Sequence, residues 1–500
     1  MAEPADRQGP DAPESMNAQI IRGSAWMVGM RWALRLIGLL STVILARLLD
    51  PADYGVLGMA MLIVGFLNVF TFTSFDLALI QRIDAGRDHY DSAWTLQVIQ
   101  GAVLGGLMAL AAPFAAVYFQ EPRVEIVIQI LAVSALIDGF ANIGTVAFRK
   151  ELDFAKEFRF NTYVRVAAFV FTIGLAFYLR SYWALVAGIV ATALLRVAAS
   201  YMMHPYRPRP TLSRARDIWS FSQWMLLFYV ATYLRNRLDG FIVGRLAGTE
   251  GMGNYYIASE LSAMPTNEVV MPIGRALFPS YARLASDPAA AAATFLRVMS
   301  LLLVLCLPLG LGLAAVAHDA VVVLLGENWR AAGGLMQWLA IAATVNGLVH
   351  AVGVYLTACG RPRVNAVLTW SAFLTMVPVL VFAGTTWGIE AVAAARAGVA
   401  VAFLPLVMLA ATRKGILGPR EMAAIVWRPA AASLVMVAAI LWLHGAAGGP
   451  PALRLCLDIA TGSLVYLGVS ALLWQLSGRP EGAERDLISG ASKIVARLRR

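Results

Sequence analysis

Three charged residues lie inside an apolar segment near the middle of the chain. The stretch TYLRNRLDGFIVGRLAG (232–248) places Arg235, Arg237 and Asp239 directly after the apolar run WMLLFYVA (224–231). A charge at the centre of a bilayer costs at least about 2.5–3.5 kcal/mol, so each needs an ion partner, water or a charged ligand. Because Arg235 and Asp239 are spaced i, i+4, we expect them to pair on one helix face, and we expect Arg237 to have no partner nearby.

A second pair of arginines lies in the first apolar segment. Arg31 and Arg35 are also spaced i, i+4, so they share a helix face, and no acid stands three or four residues from either. Two like charges one turn apart repel, so this face must meet water, an acid or an anionic ligand. Inside the predicted spans arginines outnumber acids; they are Arg31, Arg35, Arg165, Arg196, Arg235, Arg237, Arg275 and Arg396.

This excess of bases predicts a hydrated cationic cavity, because a purely structural ion network would tend toward neutrality. Arginine binds anionic oxygens in bidentate fashion, so an anionic ligand is expected. We predict that the substrate is bound by Arg31, Arg35, Arg237, Arg235 and Arg275. The alternative that stays open is that these charges only hold helices together.

Two carboxylates are candidates for coupling transport to an ion gradient. Asp239 and Glu268 each lie near an arginine in the predicted second lobe, residues 218–412, and a carboxyl group in an apolar cavity can exchange protons. Pro265 and Pro272 flank Glu268 and predict an interrupted helix over 255–280. A hinge in a moving helix and a simple kink both fit this pattern.

Motifs for enzymatic chemistry are absent from the sequence. It contains no GxxxxGK[ST] loop, no HExxH and no GxSxG elbow, so we expect neither ATP hydrolysis nor another catalytic activity, and no cofactor or metal. Cys306, Cys359 and Cys456 are far apart and match no metal or disulfide pattern.

The charged residues must be positioned by membrane helices. Hydrophobic residues make up 59% of the 500 residues and charged ones only 14%, against about 25% charge in soluble domains. We therefore predict an all-α polytopic membrane protein. Apolar runs of about 20 residues, the length that crosses a bilayer, predict about fourteen spans, at 24–48, 54–80, 93–119, 124–148, 159–179, 183–203, 218–246, 255–280, 295–316, 333–358, 364–384, 388–411, 425–444 and 454–476.

The basic residues predict the orientation of these spans. Loops after even-numbered spans carry clusters such as Arg149, Lys150, Lys156 and Arg159, whereas loops after odd-numbered spans hold one basic residue at most. By the positive-inside rule both termini of this multi-pass protein are cytoplasmic. The net charge of +10 is then a topology signal, and no nucleic-acid partner is needed to explain it.

A short internal repeat predicts two lobes. ILARLLDPADYG (44–55) aligns with IVGRLAGTEGMG (242–253) at an offset of 198 residues, and both segments lead into an even-numbered span. Two six-helix lobes in the same orientation follow from this repeat. The predicted organisation is a disordered cytoplasmic tail 1–19, an N-lobe 20–203, a cytoplasmic linker 204–217, a C-lobe 218–412, two further helices in 413–478 and a basic tail 479–500.

Two long blocks resemble the polysaccharide transporter family, the Wzx-type flippases. They are RLLDPADYGVLGMAMLIVGFLNVFTFTSFDLALIQR (47–82) and LDGFIVGRLAGTEGMGNYYIASELSAMPTNEVVMPIGRALFPSYARL (238–284). The superfamily also holds multidrug exporters and lipid II flippases. The resemblance implies two lobes in a V that open alternately to the two sides of the membrane.

The resemblance also implies a substrate and partners. The substrate is an undecaprenyl-diphosphate-linked oligosaccharide, flipped for exopolysaccharide or lipopolysaccharide biosynthesis. Besides membrane lipids, the expected partners are a polysaccharide polymerase and a chain-length regulator. The alternative within the superfamily is a cation-coupled multidrug or small-molecule exporter, for which an acidic cavity would be more suitable. A membrane glycosyltransferase or polymerase would need a large outer loop or a catalytic domain, and we identify neither.

Overall fold

A computed structural model describes most of the chain. The described residues are 29, 34–70, 75, 79–80, 82, 84–151, 153–215, 226–284, 287–412, 416–446, 449–479 and 485. Their main helices, numbered in chain order, are α1 (34–48), α2 (Pro51–Phe70), α3 (Arg87–Phe119), α4 (Arg123–Gly139), α5 (Val146–Lys150), α6 (Phe154–Leu179), α7 (Tyr182–Met203), α8 (Leu226–Leu246), α9 (Gly248–Arg283), α10 (Pro288–Ala315), α11 (Ala317–Leu325), α12 (Arg330–Ala358), α13 (Pro362–Trp387), α14 (Ile389–Ala411), α15 (Pro419–Ala446) and α16 (Pro451–Leu476).

The described residues do not confirm the predicted number of fourteen membrane helices. Within the described residues, ten helices are long and apolar enough to cross a bilayer, or eleven if one bent pair forms a single span. The predicted spans 24–48 and 218–246 are only partly described. The predicted span 255–280 lies in α9, whose glutamates and arginines make it more polar than those ten helices. The all-α membrane fold is confirmed, but the count of fourteen is not.

The bent pair occupies the predicted span 124–148. α4 ends at Gly139, and the short helix that follows is inclined to it by 65°. Asn142 stabilises the break with two hydrogen bonds. Its side-chain Oδ1 accepts from the backbone amide of Gly144 (2.9 Å), and its backbone amide donates to Ser200 Oγ (2.9 Å). The freed backbone groups are thus satisfied within the protein.

α9 runs unbroken from Gly248 to Arg283, so Pro265 and Pro272 do not interrupt the helix, and the alternatives of a hinge and a simple kink stay open. A transmembrane helix tolerates proline where neighbouring helices support it. Beside Pro265, Ser262 Oγ donates to Met336 O (3.2 Å), and the hydroxyl oxygens of Thr266 and Thr344 lie 3.5 Å apart. These contacts with α12 hold the helix on both sides of the proline.

The described residues form two compact units. Unit 1 consists of those within Met1–Leu49, Ile63–Ala115 and Arg123–Val230, and unit 2 of those within Asp50–Leu62, Ala116–Pro122 and Ala231–Arg500. The lobe boundaries expected from the sequence, 20–203 and 218–412, stay a prediction.

Glycines allow the helices of unit 1 to pack closely. Gly101 and Gly105 lie one turn apart on α3, and a Cβ on either would meet the backbone oxygen of Ala135 (2.9 Å) or Ala132 (2.8 Å) on α4. Lipid tails provide no hydrophobic drive for helix association, so backbone approach at small residues supplies the contact instead.

The segment after α7 is bound to the start of α3. Asp91, which is buried, accepts hydrogen bonds at Oδ1 from the Tyr206 hydroxyl (2.6 Å) and the Arg209 amide (2.8 Å). The amides of Thr211 and Arg214 donate to the hydroxyls of Thr95 and Ser92. Burial raises the pKa of the Tyr206 phenol, and the hydrogen bond to Asp91 raises it further, so the phenol stays protonated and remains a donor. Residues 204–215, predicted as a linker, are therefore fixed to unit 1.

The repeat identified in the sequence forms a reciprocal contact in unit 2. A Cβ added at Gly55 would overlap the carbonyl oxygen of Thr249, and a Cβ added at Gly253 would overlap that of Pro51. Thr249 and Gly253 are the residues 198 positions after Pro51 and Gly55. The starts of α2 and α9 thus cross backbone to backbone, and equivalent residues exchange places across the contact. This geometry is that of an approximate two-fold axis.

We predict that Asp91→Ala releases residues 204–215. Two hydrogen bonds of about 0.5–1.5 kcal/mol each are lost, so we expect trypsin to cleave the purified protein after Arg214 roughly tenfold faster. Arg207 and Arg209 precede proline and should resist cleavage in either protein. Asp88→Ala, an exposed position on the same helix, is the control. Equal rates in both variants would mean that Asp91 does not hold the segment.

We predict matched effects at the two repeat glycines. Gly55→Ala and Gly253→Ala force the helices apart, and each should cost about 1–3 kcal/mol of folding free energy, measured as a lower thermal unfolding midpoint in detergent. Gly106→Ala, where a Cβ meets nothing within 4 Å, should leave the midpoint unchanged or raise it, because alanine favours a helix. A lower unfolding midpoint for only one of the two glycine variants would contradict the reciprocal contact.

Candidate functional site

A pocket of unit 2 lies among α8, α12, α13 and α14. It encloses about 650 Å³ of empty space, part of it open to solvent. Its polar lining comes from Arg235, Asn236, Asn346, Asn365, Thr369 and Arg396. Its apolar lining includes Leu368, Met376, Phe403 and Val407. Among the described residues that line it, both charged ones are arginines.

Asp239 is the most deeply buried charge beside this pocket, with 1% of the residue exposed. Its Oδ2 accepts hydrogen bonds from the Tyr255 hydroxyl and from the guanidinium of Arg396. Arg396 also donates to the backbone oxygen of Asn236 (3.4 Å). The predicted pair of Arg235 with Asp239 is therefore wrong, because the partner of Asp239 is an arginine of α14, 157 positions further along the chain.

Arg237 has an ion partner. Its guanidinium lies 3.6 Å from Glu260 Oε1, and both side chains are about 40% exposed, at 42% and 43%. The prediction that Arg237 is unpaired is wrong. The one-turn spacing rule considers a single helix, whereas Glu260 belongs to α9.

Arg235 turns toward the pocket. Its Nε lies 3.4 Å from Asn236 Oδ1, and the residue contributes to the lining. With Arg396 already bound to Asp239, Arg235 provides the remaining positive charge of the lining. A ligand with several acceptor oxygens would find a guanidinium, the edge of a second guanidinium and three amide side chains there.

The other predicted site residues lie in different parts of the chain. Arg31 is outside the described residues. Arg35 lies on α1, in unit 1, and is half-buried. Glu268 is half-buried on α9, and Arg275 belongs to the same helix, although its side chain is outside the described part. The structure thus brings Arg235 and Asp239 to one pocket with Arg396, and their predicted roles stay predictions.

The sequence analysis counted Arg396 among the arginines of the predicted spans but did not assign it to the site. Arg396 lies in the run AVAAARAGVAVAF, where it is the lone charge. An isolated arginine within an otherwise apolar span must find a partner on another helix, so this run did contain the signal. Asn346 and Asn365 were not singled out, because a neutral amide in a membrane helix commonly hydrogen-bonds to a neighbouring helix without any functional role.

Comparisons with known proteins agree on a family and on a fold. The model of a family described as "Polysaccharide biosynthesis protein" matches residues 44–333. The lipopolysaccharide biosynthesis protein WzxC of Escherichia coli (strain K12) is 23% identical over 380 residues, 75% of this chain and 77% of that protein. The succinoglycan biosynthesis transport protein ExoT of Rhizobium meliloti (strain 1021) is 24% identical over 367 residues, 73% and 74% of the two chains.

Among solved structures, the lipid II flippase MurJ in an inward closed conformation superimposes with a TM-score of 0.70. The match covers 91% of this chain and 99% of that one, at 12% sequence identity. At this identity the likeness concerns the fold alone, and it supports the predicted all-α membrane fold.

We predict that Asp239 and Arg396 depend on each other for stability. Asp239→Asn leaves the buried Arg396 guanidinium without its carboxylate, which should cost about 3–5 kcal/mol and lower the thermal unfolding midpoint strongly. Asp239→Asn combined with Arg396→Met removes both charges and should recover most of the loss.

The matched control is the half-exposed pair of Arg237 and Glu260. Arg237→Met should change stability by no more than about 1 kcal/mol, as surface pairs do. Similar losses for Asp239→Asn and Arg237→Met, or no recovery in the double variant, would show that the buried pair is not the stabilising one.

Proposed function

The chain belongs to the polysaccharide biosynthesis protein family, whose model matches more than half of it, and we propose that it is a flippase for lipid-linked oligosaccharides. Its substrate is an undecaprenyl-diphosphate-linked repeat unit, which it moves to the outer leaflet of the bacterial inner membrane by alternating access. The family resemblance found in residues 47–82 and 238–284 is confirmed by this match. The protein is accordingly a transporter rather than an enzyme.

The pocket of unit 2 is the observation that carries this proposal. A diphosphate presents several anionic oxygens close together, and Arg235 can bind two of them with its planar guanidinium. The amides of Asn346 and Asn365 supply further donors on the same lining. The apolar lining residues can contact the first isoprene units of the lipid, which leave the hydrocarbon core when the headgroup is bound in the pocket.

Arg396 and Asp239 give the pocket a group that can respond to the substrate. The Arg396 guanidinium shares its donors between Asp239 and a pocket ligand. Proton coupling at Asp239 would require a proton to arrive as the guanidinium leaves, since the two compete for the same carboxylate oxygen. Glu268 is the second coupling candidate. Arg31, Arg35, Arg237 and Arg275 are proposed as further contacts along the substrate's path.

The orientation and partners belong to the same proposal. Cytoplasmic termini in the inner membrane follow from the positive-inside pattern. A polymerase that joins repeat units on the outer leaflet, together with a chain-length regulator, would consume the flipped product.

We predict that Arg235 carries the anionic headgroup. Losing one charge-assisted contact should cost about 1.5–3 kcal/mol of binding, or roughly tenfold or more in export. Arg235→Ala should therefore reduce polymer export by that factor. Export by Arg235→Lys should lie between that of Arg235→Ala and that of the parent, because lysine keeps the charge without the bidentate geometry. Export is measured in cells that depend on this protein, with its membrane level quantified alongside.

The control is Arg330→Ala, at an arginine whose exposed guanidinium pairs with Glu327 one turn away (2.8 Å). It should export like the parent. Deletion of the gene should also leave lipid-linked repeat units on the inner leaflet. Normal lipid intermediates together with increased drug sensitivity would support the cation-coupled exporter instead. Full export by Arg235→Ala at normal protein levels would remove Arg235 from the substrate site.

A further inference from the structure

Three potential metal ligands meet away from the pocket, at the end of unit 2 where α11, α15 and α16 come together. They are Asp319 on α11, His444 at the end of α15 and Asp458 on α16. One ligand atom from each lies within 4.8 Å of the others. We propose that this cluster binds a divalent transition-metal cation, with Zn²⁺ as the best match. The inference is independent of the proposed transport function.

The distances among the ligand atoms match a small coordination sphere. His444 Nδ1 lies 3.1 Å from Asp458 Oδ2 and 3.8 Å from Asp319 Oδ2. Zinc–nitrogen and zinc–oxygen bonds of about 2.0–2.2 Å at tetrahedral angles separate two ligand atoms by roughly 3.3–3.6 Å. The observed distances bracket this range, so small side-chain rotations suffice. One imidazole and two carboxylates are also a ligand type that zinc accepts, with water in the fourth position.

The burial of the carboxylates points to a missing ligand. Asp319 is 5% exposed and Asp458 is 1% exposed. Asp319 Oδ2 is fully buried, faces the imidazole, and has no hydrogen-bond partner among the described residues. A buried carboxylate oxygen without a partner is costly, and a cation bound to all three side chains would satisfy it.

Arg454 orients the cluster without cancelling its charge. Its guanidinium donates to Asp319 Oδ1 (2.8 Å), which leaves Oδ2 directed at His444. Carboxylate ligands of metals are commonly held by such an outer hydrogen bond. Two carboxylates and one guanidinium, with a neutral imidazole, leave one net negative charge, so a cation is still attracted.

A cation can reach the cluster from solvent. The His444 side chain is 38% exposed, so one side of the cluster opens to water while both carboxylates stay covered. The predicted topology puts the loop after α10 and the loop between α15 and α16 on the outer side of the membrane. A bound metal would then tie α15 and α16 to α11 from that side.

The experiment measures metal binding directly. Purified protein in detergent, with its affinity tag removed and metals stripped by a chelator, is titrated with Zn²⁺ at neutral pH. We expect one equivalent to bind and the unfolding midpoint to rise with free Zn²⁺, because a ligand that binds only the folded state stabilises it. His444→Gln should weaken binding at least about 100-fold, beyond the 10–100-fold typical for loss of an outer partner.

His318→Gln is the matched control, because His318 is an exposed histidine adjacent to Asp319 in sequence. It should bind Zn²⁺ like the parent. Absence of binding in the parent, or equal affinities of the two glutamine variants, overturns the proposal.

A second probe covers the case in which His444→Gln does not fold. His444→Cys keeps a metal ligand, and Co²⁺ bound by a thiolate gives a charge-transfer band that an imidazole cannot give. We expect this band in His444→Cys and its absence in the parent, which contains the three native cysteines as the baseline. Identical Co²⁺ spectra in the two proteins would exclude His444 as a ligand.

Discussion

The carboxylate of Asp239 is the constraint to which the surrounding helices of unit 2 conform. A buried charge in a membrane protein requires fixed partners, and here they are a hydroxyl from α9 and a guanidinium from α14. These two contacts hold α8 between those helices and place Arg235 on the pocket lining. The pair need not be more stable than an apolar contact of the same shape. The pair orients polar side chains beside the pocket, which an apolar contact could not do.

Periodicity and charge in the sequence were sufficient for most of the fold. Long apolar runs gave the helices because a bilayer admits few other structures, and the repeat was visible because Gly55 and Gly253 can hardly be replaced where two backbones touch. The break near Asn142 and the continuity of α9 through Pro265 escaped prediction. Both depend on hydrogen bonds from other helices, to Ser200 in one case and from Ser262 in the other, and no local pattern contains them.

The candidate site was predicted less completely than the fold. Spacing rules find partners on one helix, so they joined Arg235 to Asp239 and missed Arg396, which lies on another helix. Arg237 was misjudged for the same reason, because Glu260 is close only in space. The cluster of Asp319, His444 and Asp458 had no motif at all, since the folding of three helices brings it together. When tertiary structure brings the residues of a site together, the sequence shows their types but not which of them will be in contact.

The reciprocal crossing of α2 and α9 bears on the ancestry of the chain. In a two-fold homodimer, the same surface of each subunit forms the contact across the axis. A chain that arose by duplication and fusion would keep such a contact between its two copies. In a homodimer a substitution changes both subunits, whereas in a fused chain it changes only one of the two copies. At the offset of 198, Ile37 and Ser41 correspond to Arg235 and Asp239. The two copies thus share the glycines of this contact, whereas these two charges occur in the second copy alone.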